Sequence, residues 1–109
     1  MDKYVLDGRT PRLEADVVEW ARWYETADRR VSLDRVGSTA VSTVFLGIDH
    51  AYGLRPGAPL LFETMVREGD GRWWDYQRRY TTWEQAEAGH RRAVALVRRY
   101  RRRHVRENP

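Results

Sequence analysis

Residues 41–48 read VSTVFLGI, and this nearly continuous apolar stretch decides the fold. Its β-branched and aromatic side chains predict a central strand that is covered on both faces. A two-residue hairpin turn at Gly37-Ser38 leads into it from an alternating segment, in which Val31 and Leu33 are expected to face inward. We therefore predict an antiparallel sheet built around residues 41–48.

Further strands extend this sheet on both sides. The turn EGDG (68–71) joins a strand at Leu60–Val66 to a return strand at Trp73–Tyr80. Because the return strand carries two arginines, we place it at or near a sheet edge. Lys3–Leu6 is a short strand followed by a loop at Thr10-Pro11, and residues 49–59 form a long irregular loop.

Two helices are predicted from capping residues and from apolar periodicity. Asp16 stands three residues before Glu19 and starts a helix that ends near Asp28. Thr81 and Glu84 have capping-box spacing, as do Thr82 and Gln85, so a second helix starts about there and runs to about His104. On the first helix the inward residues are expected to be Val17, Trp20, Ala21 and Tyr24, with Val18 and Ala27 widening the stripe. On the second they are Trp83, Ala86, His90, Val94 and Val97. The fold class is α+β, with a four- or five-stranded, mainly antiparallel sheet and two α-helices packed on it.

The length of the chain predicts a single domain, and its charge is distributed unevenly along the sequence. A chain of 109 residues accommodates one domain, which we assign to residues 1–97, with residues 98–109 as a basic helix end and tail. The net charge is +4, but residues 91–109 alone hold eight arginines and one glutamate, so residues 1–90 carry −3. Such an asymmetry is typical of proteins with an acidic partner.

Composition also excludes several classes of protein. The absence of cysteine rules out a disulfide scaffold, a thiolate metal site and a cysteine nucleophile. No apolar run reaches the roughly 18 residues of a membrane span, so we expect no membrane partner. The first residues, Met1–Tyr4, have neither the basic nor the apolar region of a signal peptide.

Several strings in combination resemble a family of small proteins encoded by bacteriophages and prophages. They are LDG (6–8) with Pro11, VSTVFLGIDH (41–50), LLFETM (60–65) and RYTTW (79–83) followed by AGH (88–90). The resemblance covers about residues 3–97. It implies a phage accessory protein that acts in the bacterial cytoplasm. The family brings no established activity, so the resemblance implies no catalytic residue and no cofactor.

One set of side chains has the composition of a metal or acid–base site. Asp49 and His50 follow the central strand, Glu63 lies within an apolar strand, and His90 lies on the inward stripe of the second helix. If they converge, they can bind a divalent metal, with His50 and His90 as ligands, or perform acid–base chemistry. The alternative is structural: Glu63 is buried against an arginine, tyrosine or histidine, and His90 is satisfied inside the fold.

Two other features point to binding rather than to catalysis. Arginines cover much of the exposed surface of the second helix and favour phosphate binding. Tryptophans are abundant, and aromatic residues and arginine dominate binding hot spots. The predicted binding residues are Trp23, Trp73, Trp74, Arg91, Arg98, Arg99, Arg102 and Arg103.

These features give three functional hypotheses. The first is a non-enzymatic phage protein that binds a host protein or nucleoprotein, for instance an inhibitor of a defence system such as a CRISPR effector. The second is a small metal-binding or acid–base enzyme built on Asp49, His50, Glu63 and His90. The third is nucleic-acid binding through the arginine-rich helix.

Overall fold

The structure is a computed structural model that describes residues 2–50 and 57–104. In chain order the elements are β1 (Tyr4–Asp7), β2 (Thr10–Leu13), α1 (Val17–Thr26), β3 (Arg30–Val36), β4 (Thr39–Phe45), β5 (Phe62–Glu68), β6 (Trp73–Tyr80) and α2 (Trp83–His104). Strands β3 to β6 form one antiparallel sheet in sequence order, and β1 and β2 form a separate hairpin. The predicted α+β class is confirmed.

β4 is an inner strand of the four-stranded sheet, as predicted. It pairs with β3 across the two-residue turn and with β5 across the segment that contains residues 51–56. Four of its side chains are buried, and three of these, Val41, Thr43 and Phe45, stand opposite buried partners on β5 and face α2, while the fourth, Thr39, stands opposite Glu68. β6 lies at the edge of the sheet, where its two arginines placed it.

α2 lies across one face of the sheet and makes the core. Of the two predicted capping pairs, Thr82 and Gln85 form the box at its start: Thr82 Oγ1 accepts from the Gln85 amide at 3.1 Å, and Gln85 Oε1 accepts from the Thr82 amide at 3.2 Å. The helix buries five of its own side chains against the sheet: Ala86, His90, Ala93, Val94 and Val97. At Gly89 the helix passes so close to the Tyr80 ring that a β-carbon would collide with its hydroxyl end.

α1 and the β1–β2 hairpin extend the layer that α2 begins. The Asp16 side chain caps α1 by accepting from the amides of Val18 and Glu19, as its spacing predicted. Trp20 Nε1 donates to the carbonyls of Tyr4 and Gly47, and this anchors the helix to the hairpin and to the end of the sheet. The expectation of a loop at Thr10-Pro11 was wrong, because these residues belong to β2.

The inward face of α1 differs from the predicted stripe. Val17 and Val18 are more than half exposed, and Ala21 is also exposed. Trp20, Trp23, Tyr24 and Ala27 are partly covered, because only the side of α1 that meets β1 and Phe45 finds packing partners.

β3 also differs in phase. A bulge between Arg30 and Ser32 shifts its alternation, so that Asp34 stands opposite Val41 on the α2 side and Leu33 stands opposite Ser42 on the other side. On that other side, Ser42, Val44 and Met65 are half-buried, and neither α1 nor α2 packs there. The expectation that β4 is covered on both faces was therefore wrong for the described elements.

Part of the predicted loop at 49–59 lies outside the described residues, since 51–56 are not described. Of the helices that are described, neither combines the length and the apolar character needed to cross a membrane.

Candidate functional site

A chain of hydrogen bonds runs through the contact between α2 and the sheet. His90 Nε2 lies 2.8 Å from Asp34 Oδ2, and His90 Nδ1 lies 2.7 Å from Thr43 Oγ1. The Thr43 hydroxyl is bonded to that of Thr64, which accepts from the Tyr80 hydroxyl at 3.2 Å. The chain therefore joins α2 to all four strands of the sheet, through one residue each on β3, β4, β5 and β6.

The chemistry of the groups gives this network one direction. A carboxylate oxygen only accepts, so His90 donates from Nε2 to Asp34, and in the tautomer that carries its single ring proton on Nε2 the Nδ1 atom is an acceptor. Thr43 then donates to His90, Thr64 donates to Thr43, and Tyr80 donates to Thr64. Each of the three hydroxyl protons is engaged in a hydrogen bond.

Thr43, His90 and Asp34 are the residue types of a hydroxyl–imidazole–carboxylate triad. Thr43, however, is fully buried, and its hydroxyl is enclosed by Thr64 and the imidazole. A substrate carbonyl cannot approach an oxygen in that position. The network satisfies buried polar groups and joins the helix to the sheet.

The predicted His and carboxylate set does not assemble. Glu63 is nearly buried and its Oε2 accepts from Arg79 Nε at 2.9 Å, which confirms the pairing expected for it. Because adjacent strand residues point to opposite faces, Glu63 lies across the sheet from Thr64 and from His90. Asp49 Oδ1 accepts from the Leu60 amide at 3.0 Å, and the His50 amide donates to the Leu60 carbonyl.

Metal binding by this set is not supported by the geometry. His90 is only 3% exposed and turned inward, as predicted, with both ring nitrogens engaged in hydrogen bonds. Among residues 2–50 and 57–104, no group of three or more histidine and carboxylate side chains is arranged to hold a metal ion.

The three predicted binding tryptophans have different surroundings. Trp23 packs edge-to-face on Phe45, and Trp74 packs on Tyr100 and donates from Nε1 to Glu68. Trp73 is 58% exposed and points away from α2, because adjacent strand residues face opposite sides of the sheet and Trp74 faces α2. Only Trp73 of the three thus keeps a largely free ring for a partner.

The predicted binding arginines are all exposed on α2. With Arg92 they form what we term the arginine face: Arg91, Arg92, Arg98, Arg99, Arg102 and Arg103. At 3.6 residues per turn they fall into two columns on the side opposite the buried stripe, over a length of about 18 Å. Residues 88–104 contain no acidic side chain, and within the described structure none of the six arginines forms an ion pair.

Arg101 differs from these six because it holds the end of α2 against the sheet. Its guanidinium donates to Thr39 Oγ1 at 3.0 Å and to Ser38 Oγ at 3.3 Å, and it lies directly on Gly37. Gly37 has a φ of 61°, and a β-carbon there would collide with the guanidinium. The basic helix end at 98–104 is consequently part of the folded domain rather than a separate tail.

Glu68 lies beside Arg101, Ser38 and Thr39 at this end of the sheet. Its carboxylate accepts from Thr39, Ser38 and Trp74. Burial alone would raise the pKa of Glu68, but the hydrogen bonds from Trp74, Thr39 and Ser38, together with the charge of Arg101, outweigh burial and hold its pKa below the ordinary value of 4.5.

Two cavities lie along the line where β6 meets α2, which we term the β6–α2 seam. One, of about 340 Å³, is lined near the helix end by Glu68, Arg72, Trp73, Trp74, Asp75, Tyr100 and Arg101. The other, of about 380 Å³, is lined near the helix start by Leu60, Arg79, Tyr80, Thr81, Gln85, Ala88 and Arg92. Between them lies Tyr76, whose pKa is raised above its ordinary value of 10.0 by burial and then by Tyr80, against the opposing charges of Arg78 and Arg92. The Arg78 guanidinium lies over the Tyr76 ring, 4.6 Å from its centroid.

The sequence did not reveal several residues of these clusters. Asp34 was expected on an outward position of its strand, and only the bulge brings it to His90. Arg101 and Glu68 carried no local signal, because their partners lie 62 and 29 residues away in the chain.

Comparisons of the chain with family models, with curated proteins and with solved structures returned no match.

Proposed function

We propose that this protein is a non-enzymatic binding protein whose arginine face holds a nucleic acid, either free or within a nucleoprotein. The observation that supports this proposal is the arginine face itself: six exposed guanidinium groups in two columns, none of which forms an ion pair among the described residues, although Glu87 stands one turn before Arg91. Guanidinium groups bind phosphate through paired hydrogen bonds and remain charged at all physiological pH values.

The surroundings of the tryptophans favour a nucleic acid over a protein partner. Hot spots of protein interfaces are enriched in tryptophan and tyrosine as well as in arginine. Trp23 and Trp74 are engaged in packing, whereas all the predicted arginines are available. A partner with a regular row of negative charges therefore fits the molecule better than a partner with apolar pockets, and a phosphate backbone provides such a row.

The biological setting of the proposal rests on the resemblance to phage-encoded proteins. It supports an accessory protein that acts in the bacterial host cytoplasm on a host macromolecule. A host defence complex that contains nucleic acid, such as a CRISPR effector, combines that setting with the charge of the arginine face. Inhibition of such a complex is the specific form of function that we propose.

Fluorescence anisotropy with labelled oligonucleotides, single-stranded and duplex, tests the binding step. Arg98 and Arg102 lie in one column, and their replacement in Arg98→Gln/Arg102→Gln should weaken binding to both probes. The slope of log affinity against log salt should also become shallower, by about 0.7–0.9 for each phosphate that the variant no longer neutralises. Truncation after Val97 is a poorer test, because it also removes Arg101 and its bonds to Ser38 and Thr39.

The matched control is Arg12→Gln/Arg22→Gln, which removes two exposed arginines from the opposite end of the chain. It should leave affinity and slope almost unchanged. The proposal fails if the wild-type protein binds neither probe at low salt, or if the control variant loses as much affinity as the α2 variant. A pull-down from host lysate that keeps its partner after nuclease treatment and in Arg98→Gln/Arg102→Gln would point to a protein partner instead.

A further inference from the structure

The two columns of the arginine face border different grooves of the molecule. One column, with Arg92 at its start, lies beside the β6–α2 seam. The other lies on the side of α2 that faces β3, and its members recur at intervals of seven and four residues: Arg91, Arg98 and Arg102. Between this second column and β3 opens a cavity of about 290 Å³, which is lined by Asp34, His90, Arg91, Val94 and Arg98. The second column therefore shares a cavity with a carboxylate.

Asp34, the acidic residue of this cavity, pairs with neither of its arginines. The side chain is half-exposed, and its partner among the described residues is His90, whose Nε2 lies 2.8 Å from Asp34 Oδ2. The second carboxylate oxygen, Oδ1, accepts a hydrogen bond from no group of residues 2–50 and 57–104. An acceptor oxygen between Arg91 and Arg98 is thus available to a ligand.

The orientation of the Asp34 carboxylate is set from inside the domain. The bulge in β3 turns this side chain toward α2, opposite Val41. His90 is almost completely buried, and Thr43 holds its other ring nitrogen, so the Nε2 atom that donates to Asp34 has a fixed position. A side chain held in this way loses little conformational freedom when it binds, which increases its contribution to affinity and specificity.

The chemistry of a carboxylate decides which part of a nucleic acid Asp34 can contact. Its oxygens only accept hydrogen bonds and are repelled by phosphates, so the contact requires a donor on a base. The amino groups of cytosine, adenine and guanine are such donors, and the N4 amino group of cytosine is a known partner of aspartate and glutamate. Thymine and uracil carry a carbonyl oxygen in place of the cytosine amino group, and this oxygen repels a carboxylate.

We infer that Asp34 is a specificity-determining residue of the arginine face: its carboxylate accepts a hydrogen bond from the amino group of a base whose neighbouring phosphates lie on Arg91 and Arg98. This inference rests on the proposed function and specifies it, because it names the chemical group by which the site selects its ligand. Without a base donor, the Asp34 carboxylate only repels phosphates and lowers affinity. With one, the same carboxylate distinguishes cytosine from uracil and thymine.

The test uses anisotropy titrations of two single-stranded probes of equal length, an oligodeoxycytidylate and an oligodeoxyuridylate. They share one backbone and one ring size, and their base edges are unpaired, so the comparison isolates the amino group. The wild-type protein should bind the cytidylate about 5- to 10-fold more tightly, the lower end of the discrimination that a specific base contact provides. A third probe, in which hydrogen replaces each cytosine amino group, should bind no more tightly than the deoxyuridylate.

Asp34→Asn should remove this preference. Because His90 donates from Nε2, the amide oxygen of the asparagine has to face His90, and its amide NH₂ group then faces the ligand. That group donates to the uracil carbonyl and not to the cytosine amino group, so the two affinities should become equal or change their order. Loss of the negative charge should strengthen binding of both probes, and the measured quantity is therefore the ratio of the two affinities. Asp34→Ala is the second variant, in case the first does not fold, and should also make the affinities equal.

Glu87→Gln is the matched control. Glu87 stands one turn before Arg91 on the same side of α2, but it does not line the cavity. Its replacement removes one negative charge beside the same column of arginines. Binding of both probes should therefore become tighter, while the ratio of their affinities stays as in the wild type.

The outcomes separate this inference from the proposed function. Equal affinity of the wild-type protein for the cytidylate and the deoxyuridylate, or an unchanged ratio in the folded Asp34 variants, would overturn the inference while leaving nucleic-acid binding in place. A ratio that falls as far in Glu87→Gln as in Asp34→Asn would assign the preference to charge alone and would also overturn it. Absence of binding to every probe would overturn both the inference and the proposed function.

Discussion

The His90 ring on α2 donates from Nε2 to the Asp34 carboxylate on β3, a residue 56 positions earlier in the chain. Asp34 has a half-exposed side chain, whereas His90 is almost completely buried. The buried hydrogen-bond network therefore reaches solvent at Asp34, on the edge strand β3. Because the other ring nitrogen is bonded to Thr43, the position of one proton on His90 determines the direction of every hydrogen bond behind it.

This arrangement predicts the tautomer of His90. Long-range proton–nitrogen NMR correlations of the wild-type protein at neutral pH should show a protonated Nε2 and an unprotonated Nδ1. Thr43→Val should lower the free energy of unfolding by about 1–3 kcal/mol, because it leaves the buried Nδ1 without a donor. Thr43→Ser keeps the hydroxyl and should lose less. A ring protonated at Nδ1 in the wild type would contradict the direction derived for the network.

The ion pair of Glu63 and Arg79 should contribute to stability and not to an activity. Glu63→Gln removes the charge that faces Arg79 at a position that is nearly buried, and we expect a loss of about 1–2 kcal/mol in urea unfolding, between the values for exposed and for buried pairs. Glu19→Gln, which breaks the exposed pair with Arg22, should change the free energy of unfolding by only a few tenths of a kcal/mol. Equal effects would show that the Glu63 pair is no stronger than a surface pair.

At two positions of α2 we expect a different residue to give the more stable protein: alanine at position 95 and glycine at position 89. Alanine normally stabilises a helix relative to glycine, so Ala95→Gly on the exposed side should cost about 1 kcal/mol. At Gly89 the added β-carbon collides with Tyr80, so Gly89→Ala should destabilise the protein by about 1–3 kcal/mol in spite of its better propensity. Thermal unfolding of both variants checks the pair, and a stabilised Gly89→Ala would show that the helix and Tyr80 can move apart.

Glu68 should make stability depend on pH in the acid range. Its pKa is lower in the folded protein than the ordinary 4.5, so its contribution is complete above pH 4.5 and is lost as the pH falls through the folded pKa. Glu68→Gln should therefore be less stable than the wild type at neutral pH, and the difference should shrink below pH 4.5. Urea unfolding of both proteins over this range measures it. A difference that grows on acidification would reverse the assigned sign.

Local signals in the sequence were sufficient for most of the fold. Asp16 and the Thr82–Gln85 pair marked the helix starts, and Gly37-Ser38 marked the hairpin turn, because capping and turn formation involve residues close together in the chain. β2 was missed because it has four residues, one of them a proline, and it forms only by pairing with β1. Its existence depends on a partner strand more than on its own composition.

The candidate site was less predictable, for a related reason. The inward position of His90 followed from the periodicity of α2, but its partner Asp34 depended on a bulge that shifts the alternation of β3. The expected metal set failed because Glu63 and His90 lie on opposite faces of the sheet, and a side chain's face is set by strand register rather than by residue type. The exposed arginines of α2 were predicted, since they follow from helical periodicity alone.

The contact of Arg101 with the Gly37 turn has a consequence for how tightly any ligand can be held. Many basic chain ends are disordered and must become ordered when they meet a polyanion, which reduces their affinity. Here Ser38 and Thr39 already fix the last turn of α2, so the backbone that carries the neighbouring cations is immobilised when the protein folds. The conformational entropy of that backbone is therefore lost when the protein folds and not when it binds a ligand. The spacing of its charges is set by the folded domain and not by the complex.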